Sequence, residues 1–329
     1  MEIYVKMQQR EAVWDLPIIP ENMVIAGKYM VGERIAETDF SIIYEGNNID
    51  TEEKVVIKTI NESTINRAKN ENNKILENII RQAFFKEGII LSNLDYTGIP
   101  KSYGHHFPIL PNKQRINVRV MEYVPSHLDS FFKNKPFLKA VSEFIAQFTD
   151  ILEYLQDNGI IHGDIKPQNI MCNRDEIKLI DFNIASQSAT RIKDAEPKDI
   201  IKLQEEHRSM TEAYASPEVK NGGIPVYASD IYSLGRVLED LIIAYDRKDF
   251  SILGEHKRKT LILGKEPSST YNKNSINIIQ LMLSMPMTLV NIYSKCIHPN
   301  IEERIEPNEL KYLARQLKEE SNSPLYSRF

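Results

Sequence analysis

Cysteine is nearly absent from this 329-residue chain. The two it has, Cys172 and Cys296, lie too far apart in sequence for a metal-ligand spacing, so neither a disulfide scaffold nor a zinc site has support. Both read as small buried hydrophobes. No uncharged apolar run approaches the ~18 residues of a membrane span, and charges among the first residues stand where a signal peptide would have its apolar core. The expectation is a cytoplasmic chain, or an effector delivered by a secretion route that leaves no such mark. A basic excess is missing too. The formal net charge of −5 argues against a nucleic-acid partner, which needs cations for its phosphate backbone. What remains, 42% hydrophobic and 26% charged residues, is the composition of a globular protein long enough for two packed lobes.

Periodicity divides the chain. Residues 1–23 show no clear period, hold the only tryptophan, Trp14, and read as an extension. Residues 24–124 offer the β-rich runs "YMVGERIA", "SIIYEG", "KVVIKTI" and "INVRVMEYV", interrupted by helical sequence from about Glu62 to Leu94. Residues 125–320 are mostly helical. Val141, Phe144, Ile145, Phe148, Ile151, Leu152 and Leu155 form one stripe ending at Gly159, a C-cap residue. A second helix is expected from Ser229 as N-cap, and a third from Pro307. Residues 321–329 read as a tail.

The densest chemical signal is "IIHGDIKPQNIM" followed by "KLIDFNIA". Phosphoryl transfer needs a carboxylate to orient an attacking hydroxyl and oxygen ligands to hold Mg²⁺ on phosphates. Asp164, Lys166 and Asn169, at i, i+2 and i+5 on one loop, can supply these groups, with Asp181 completing the metal site. Singly, each has a bland reading: an HGD tripeptide is most often a turn, and a strand lysine such as Lys58 a solvated charge.

Six blocks in order change that weighing. "VVIK", "FFKEGIILSNL", "VMEYV", "IHGDIKPQN", "DFN" and "YASPE…SDIYSLG" make the stretch from about Val24 to Lys318 resemble the eukaryotic-type protein kinases. The resemblance implies an α+β, bilobal fold, with a small β-rich N-lobe carrying one main helix and a larger helical C-lobe. It implies ATP and Mg²⁺ as cofactors and a protein as substrate. Lys58 would contact phosphates and pair with Glu87. Asp164 would orient the acceptor hydroxyl, Lys166 would steady the transferring phosphoryl, and Asn169 and Asp181 would hold metal. Ile35, Ala36, Thr38, Ser41, Ile43, Val56, Met121, Glu122, Val124 and Met171 would line the nucleotide site. Glu218 would pair with Arg304, and Asp230 would brace the catalytic loop. Lys166 in that loop favours serine and threonine acceptors, and the HGD form resembles bacterial members.

The departures are specific. Ala36, Thr38 and Ser41 occupy the three glycine positions of the family's phosphate loop, which implies a stiffer lid with weaker backbone grip and a raised ATP KM. Gly163 replaces the arginine that commonly receives a phosphorylated activation segment, so control through Ser209 or Thr211 loses its main receptor. Asn183 replaces the DFG glycine, as a residue tolerant of the left-handed region. The segment before Glu218 reads equally as a solvated loop or as a short helix starting at Pro197, with Lys202 within reach of Glu205 and Glu206. Two rival readings remain at this level: a pseudokinase scaffold, and a kinase-fold enzyme acting on a small molecule.

Overall fold

The computed structural model describes residues 19–38, 41–70, 74–187, 213–253 and 281–324. Trp14, Pro197, Lys202, Glu205, Glu206, Ser209 and Thr211 lie outside the described residues. The chain divides into two compact units. The first comprises the residues up to Asp95 with Pro100–Tyr123, and the second Tyr96–Ile99 with the residues from Val124 onward.

In the first unit, β1 (Val24–Ile25), β2 (Tyr29–Glu37), β3 (Ser41–Asn48) and β4 (Lys54–Ile60) lead into helices α1 (Glu62–Asn70) and α2 (Lys74–Ser92), then β5 (Ser102–His106) and β6 (Val118–Glu122). The antiparallel sheet runs β1-β2-β3-β4-β6-β5. Strand alternation separates its faces. Tyr44, Val55, Ile57, Val118 and Val120 bury one face with Ile19, Ile25 and Tyr29. On the other, Ile60 packs with Ile65, Ile80 and Phe84 of the two helices. The sequence expected one helical section over 62–94; two helices occupy it.

The second unit contains β7 (Ser126–His127), α3 (Leu128–Phe132), α4 (Phe137–Asp157), β8 (Ile160–Ile161), β9 (Ile170–Asn173), β10 (Glu176–Leu179) and β11 (Ser186–Gln187). After these come α5 (Pro217–Lys220), α6 (Tyr227–Arg247), α7 (Met287–Cys296) and α8 (Pro307–Ser321). The predicted stripe of α4 is buried throughout, and Gly159 follows the helix at φ +71°. Tyr96–Ile99 joins this unit through specific contacts. Tyr96 stacks on Tyr154 at 4.7 Å, Leu179 N–H donates to Gly98 O at 2.9 Å, and the buried Lys178 ammonium donates to Thr97 O at 2.7 Å.

Ser229 is not the N-cap of its helix. That place belongs to Val226, and Ser229 sits one turn in, where its Oγ accepts the Val226 N–H at 3.0 Å. A serine hydroxyl satisfies an orphan helix donor equally well from this position. Both cysteines are buried, and burial pushes the Cys296 thiol up to about 12. No helix among the described residues is long and apolar enough to cross a membrane.

Candidate active site

In the first unit, register brings the predicted nucleotide-facing residues onto one side of the sheet. Ala36 pairs with Ile43, Ile43 with Lys58, and Val56 with Met121, so these side chains share the face against which α2 packs. Ile43, Val56 and Met121 are each partly open, while Ile35 is about half exposed (49%). Lys58 is buried on this face and donates to both carboxylate oxygens of Glu87 at 3.0 Å. A buried lysine needs such a partner, because desolvation disfavours its charge.

Glu87 has a second cation that sequence reasoning missed. Arg119, fully buried on β6 opposite Lys58, is ion-paired with Glu87 Oε2 and donates to Phe84 O of α2. Its Nε–H donates to His105 Nε2 at 3.0 Å. Burial, helped by the adjacent Arg119 charge, lowers the His105 pKa to about 4, leaving a neutral acceptor. The only sequence signal was an arginine amid the apolar run "INVRVMEYV".

The glycine-less turn between β2 and β3 is held by its own side chains. Thr38 N–H donates to Ser41 O at 2.8 Å, Ser41 N–H donates to Thr38 Oγ1 at 3.0 Å, and the two hydroxyls lie 3.1 Å apart. Asn61 ties the turn down by donating to Thr38 O and Glu37 Oε1. Ser41 is buried, so its hydroxyl serves the turn itself. Glu122 uses its side chain locally, accepting the Lys101 N–H at 3.0 Å.

In the second unit, Asp230 enters from the first turn of α6 and is 3% exposed. Its two oxygens accept the backbone N–H groups of His162 (2.8 Å) and Gly163 (2.9 Å). Burial raises its pKa, against the pull of these donors. Gly163 takes φ +76°, a conformation glycine adopts without a Cβ penalty. The His162 ring accepts the Asp164 N–H at Nδ1 (3.2 Å) and reaches Ile180 O through Nε2 (3.1 Å). That pattern selects the tautomer protonated at Nε2.

Asp164 is thereby held on a braced loop, and its carboxylate is unevenly used. Oδ2 accepts from Lys166 Nζ at 2.7 Å and from Asn169 Nδ2 at 2.8 Å. Oδ1 is buried and has no hydrogen-bond partner among the described residues. A buried carboxylate oxygen without a donor costs stability unless a ligand supplies one. Asn169 closes a short 3₁₀ turn, and its carbonyl accepts the Ile180 N–H at 2.8 Å, placing it beside the segment after β10 that carries Asp181.

The left-handed residue of the DFN segment is Asp181, with φ +67°; Asn183 lies outside that region. Aspartate tolerates this backbone through local hydrogen bonding, and the Asn183 amide supplies some by donating to Asp181 Oδ1. An amide carbonyl and a carboxylate are hard oxygen donors of the kind that suit Mg²⁺. Val124 is buried and Met171 partly buried, the latter on β9.

A family model described as "Protein kinase domain" matches residues 29–314. The chain belongs to the protein kinase family. Among its relatives, MAP3K epsilon protein kinase 1 of Brassica napus is 28% identical over 231 residues, 68% of this chain and 16% of that one. A Clostridium perfringens protein named "Probable serine/threonine-protein kinase" is 28% identical over 225 residues, covering 67% and 29%. Serine/threonine-protein kinase PKH2 of Saccharomyces cerevisiae is 36% identical over 101 residues, covering 30% and 9%. The aligned segments are thus a minor part of each relative's length. Within this kinase domain the expected Glu218–Arg304 pair forms with two parallel bonds of 2.7 Å, and Ser229 Oγ donates to the same carboxylate at 2.7 Å.

Proposed function

We propose that this kinase domain transfers the γ-phosphoryl group of ATP, with Mg²⁺, to serine or threonine hydroxyls of proteins. The observation that carries the reading is Asp164, with one oxygen engaged by Lys166 and Asn169 and the other buried and, among the described residues, unpartnered. An acceptor hydroxyl would donate to Oδ1, be oriented for attack and pass its proton to the carboxylate as the bond to phosphorus forms. Lys166 would neutralise charge on the transferring group. From the first unit, Lys58, set by Glu87, would contact the α and β phosphates.

Asn169 and Asp181 would hold Mg²⁺, which when bound offsets phosphate charge. Positioning and charge stabilisation then supply the rate enhancement. The serine/threonine preference draws on Lys166 and on the names of the Clostridium and Saccharomyces relatives.

The test incubates purified protein with labelled ATP, Mg²⁺ and a general protein acceptor, beside Asp164→Asn. Phosphoserine or phosphothreonine detected by mass spectrometry in the wild-type reaction alone is the expected result. Equal labelling by both proteins removes the enzyme reading and leaves a pseudokinase. Label found only on small molecules replaces the protein acceptor.

A further inference from the structure

Arg119 and Lys58 are directly opposed on paired strands β6 and β4. Two cations so placed repel each other, and both are buried here, with Lys58 4% and Arg119 0% exposed. Glu87, inserted from α2, is paired with both. Lys58 takes both of its oxygens, and Arg119 shares Oε2.

Two other Arg119 nitrogens donate, Nη2 to Phe84 O a turn earlier on α2 and Nε to His105 Nε2, while Nη1, buried, meets Glu87 as an ion pair. His105 in turn stacks on Phe84 with centroids 6.0 Å apart. It also fills the space beside Gly88, where a Cβ would come within 2.0 Å of its ring. One turn of α2, Phe84 to Gly88, is therefore gripped from the sheet by a guanidinium and an imidazole that make no use of Lys58.

We propose that Arg119 is a positioning residue: it holds Glu87, and with it α2, in the docked arrangement independently of Lys58 and of nucleotide. The inference rests on the reading of Lys58 and Glu87 as the nucleotide-positioning pair. Its physical basis is charge. Were Lys58 to turn toward a phosphate, Glu87 would remain neutralised by Arg119, whereas a lone lysine could serve only one of the two anions fully. Such a device is suited to a chain in which Gly163 has replaced the usual receptor for activation-segment phosphate.

The test is amide hydrogen exchange across residues 84–91 of nucleotide-free protein, in wild type, Lys58→Met and Arg119→Met, together with ATP kinetics. Arg119→Met should speed exchange there by roughly tenfold or more, and Lys58→Met by less than about twofold. In Arg119→Met the ATP KM should rise with kcat nearly kept, because saturating ATP selects the docked state. A merely structural role would instead lower kcat through loss of folded enzyme. Unchanged exchange in Arg119→Met, or equal loosening in Lys58→Met, overturns the proposal.

If Arg119→Met does not fold, His105→Phe keeps the stack on Phe84 while removing the Nε acceptor. It should loosen the same turn by a smaller factor, and no change there overturns the proposal equally. An inactive wild type with the expected exchange pattern would refute the phosphoryl-transfer reading alone. An active wild type with unaltered exchange in the variants would refute only the role of Arg119.

Discussion

Replacing Glu218 by glutamine should be among the most costly single-atom changes in the second unit. Arg304 has a side chain only 1% exposed and meets Glu218 through two parallel bonds of 2.7 Å. Its other acceptors are the neutral carbonyls of Ala228, His298 and Pro299. Glutamine keeps the shape and one acceptor oxygen but leaves the guanidinium buried without an anion, for which about 3 kcal/mol is expected. The ionisation of Glu218 gives a second route to the magnitude. Burial alone would push its carboxyl up, but the bonds from Arg304 and Ser229 outweigh it and hold the pKa at about 2, against an ordinary 4.5. That gap corresponds to about 3.4 kcal/mol at about 1.36 kcal/mol per pH unit, reduced to about 2–3 because the carboxylate is partly open to solvent.

Because the folded pKa is depressed, this stability is fully present above pH 4.5 and is lost as pH falls toward about 2. Urea unfolding followed by helical circular dichroism from about pH 7 to 3 should therefore show the wild type losing its advantage over Glu218→Gln as the solution becomes acidic. At neutral pH the variant's melting temperature should be lower by about 6–12 °C. A loss below about 1 kcal/mol at neutral pH, or wild-type and variant curves that stay parallel into acid, would refute the reasoning.

Three further outcomes are expected. The folded pKa of His105 is about 4 against 6.5 ordinarily, so between these values the unfolded chain binds the extra proton and stability falls as pH drops. His105→Phe should remove about 1–2 kcal/mol of that dependence after allowance for solvent, and an unchanged slope in the same urea titration would contradict it. Gly163→Ala should cost about 1 kcal/mol from the left-handed backbone alone, since the nearest atom its Cβ would meet, on Ile184, lies at an ordinary 3.8 Å. A melting temperature equal to or above wild type would show the strain argument to be wrong. Ala36→Gly, Thr38→Gly and Ser41→Gly combined should lower the ATP KM by about two- to tenfold, the worth of one or so backbone hydrogen bonds. Unchanged or worse steady-state kinetics would reject the stiff-lid explanation.

Groups brought together by local order were legible in advance as neighbours. Asp164, Lys166 and Asn169 occupy one loop, so their spacing already constrained what they could do together. The α4 stripe was legible because burial on a helix repeats every three or four residues. Ser229 shows the limit of local reading, since the same hydroxyl can satisfy a helix end from the cap or from one turn inside. Asp181 shows another: backbone tolerance suggested Asn183 for the left-handed position, but the conformation belongs to the aspartate two residues earlier, with Asn183 bonding its carboxylate.

Sequence by itself determined the family, the two-part organisation of strands before helices, and the inventory of charged groups, because each is written in short motifs or in a period. The family resemblance also implied the Lys58–Glu87 and Glu218–Arg304 pairs; tertiary structure alone decided the pairings that no motif records. Arg119 is an unremarked strand residue until β4 and β6 come into register and α2 inserts Glu87 beside it. Tyr96–Ile99 interrupts the first unit's sequence and belongs to the second by hydrogen bonds to Lys178 and Leu179, some eighty residues away. The reason is the same in both cases. Partners for a buried charge or a backbone carbonyl are chosen by proximity after folding, and sequence neighbours carry no record of which distant strand will supply them.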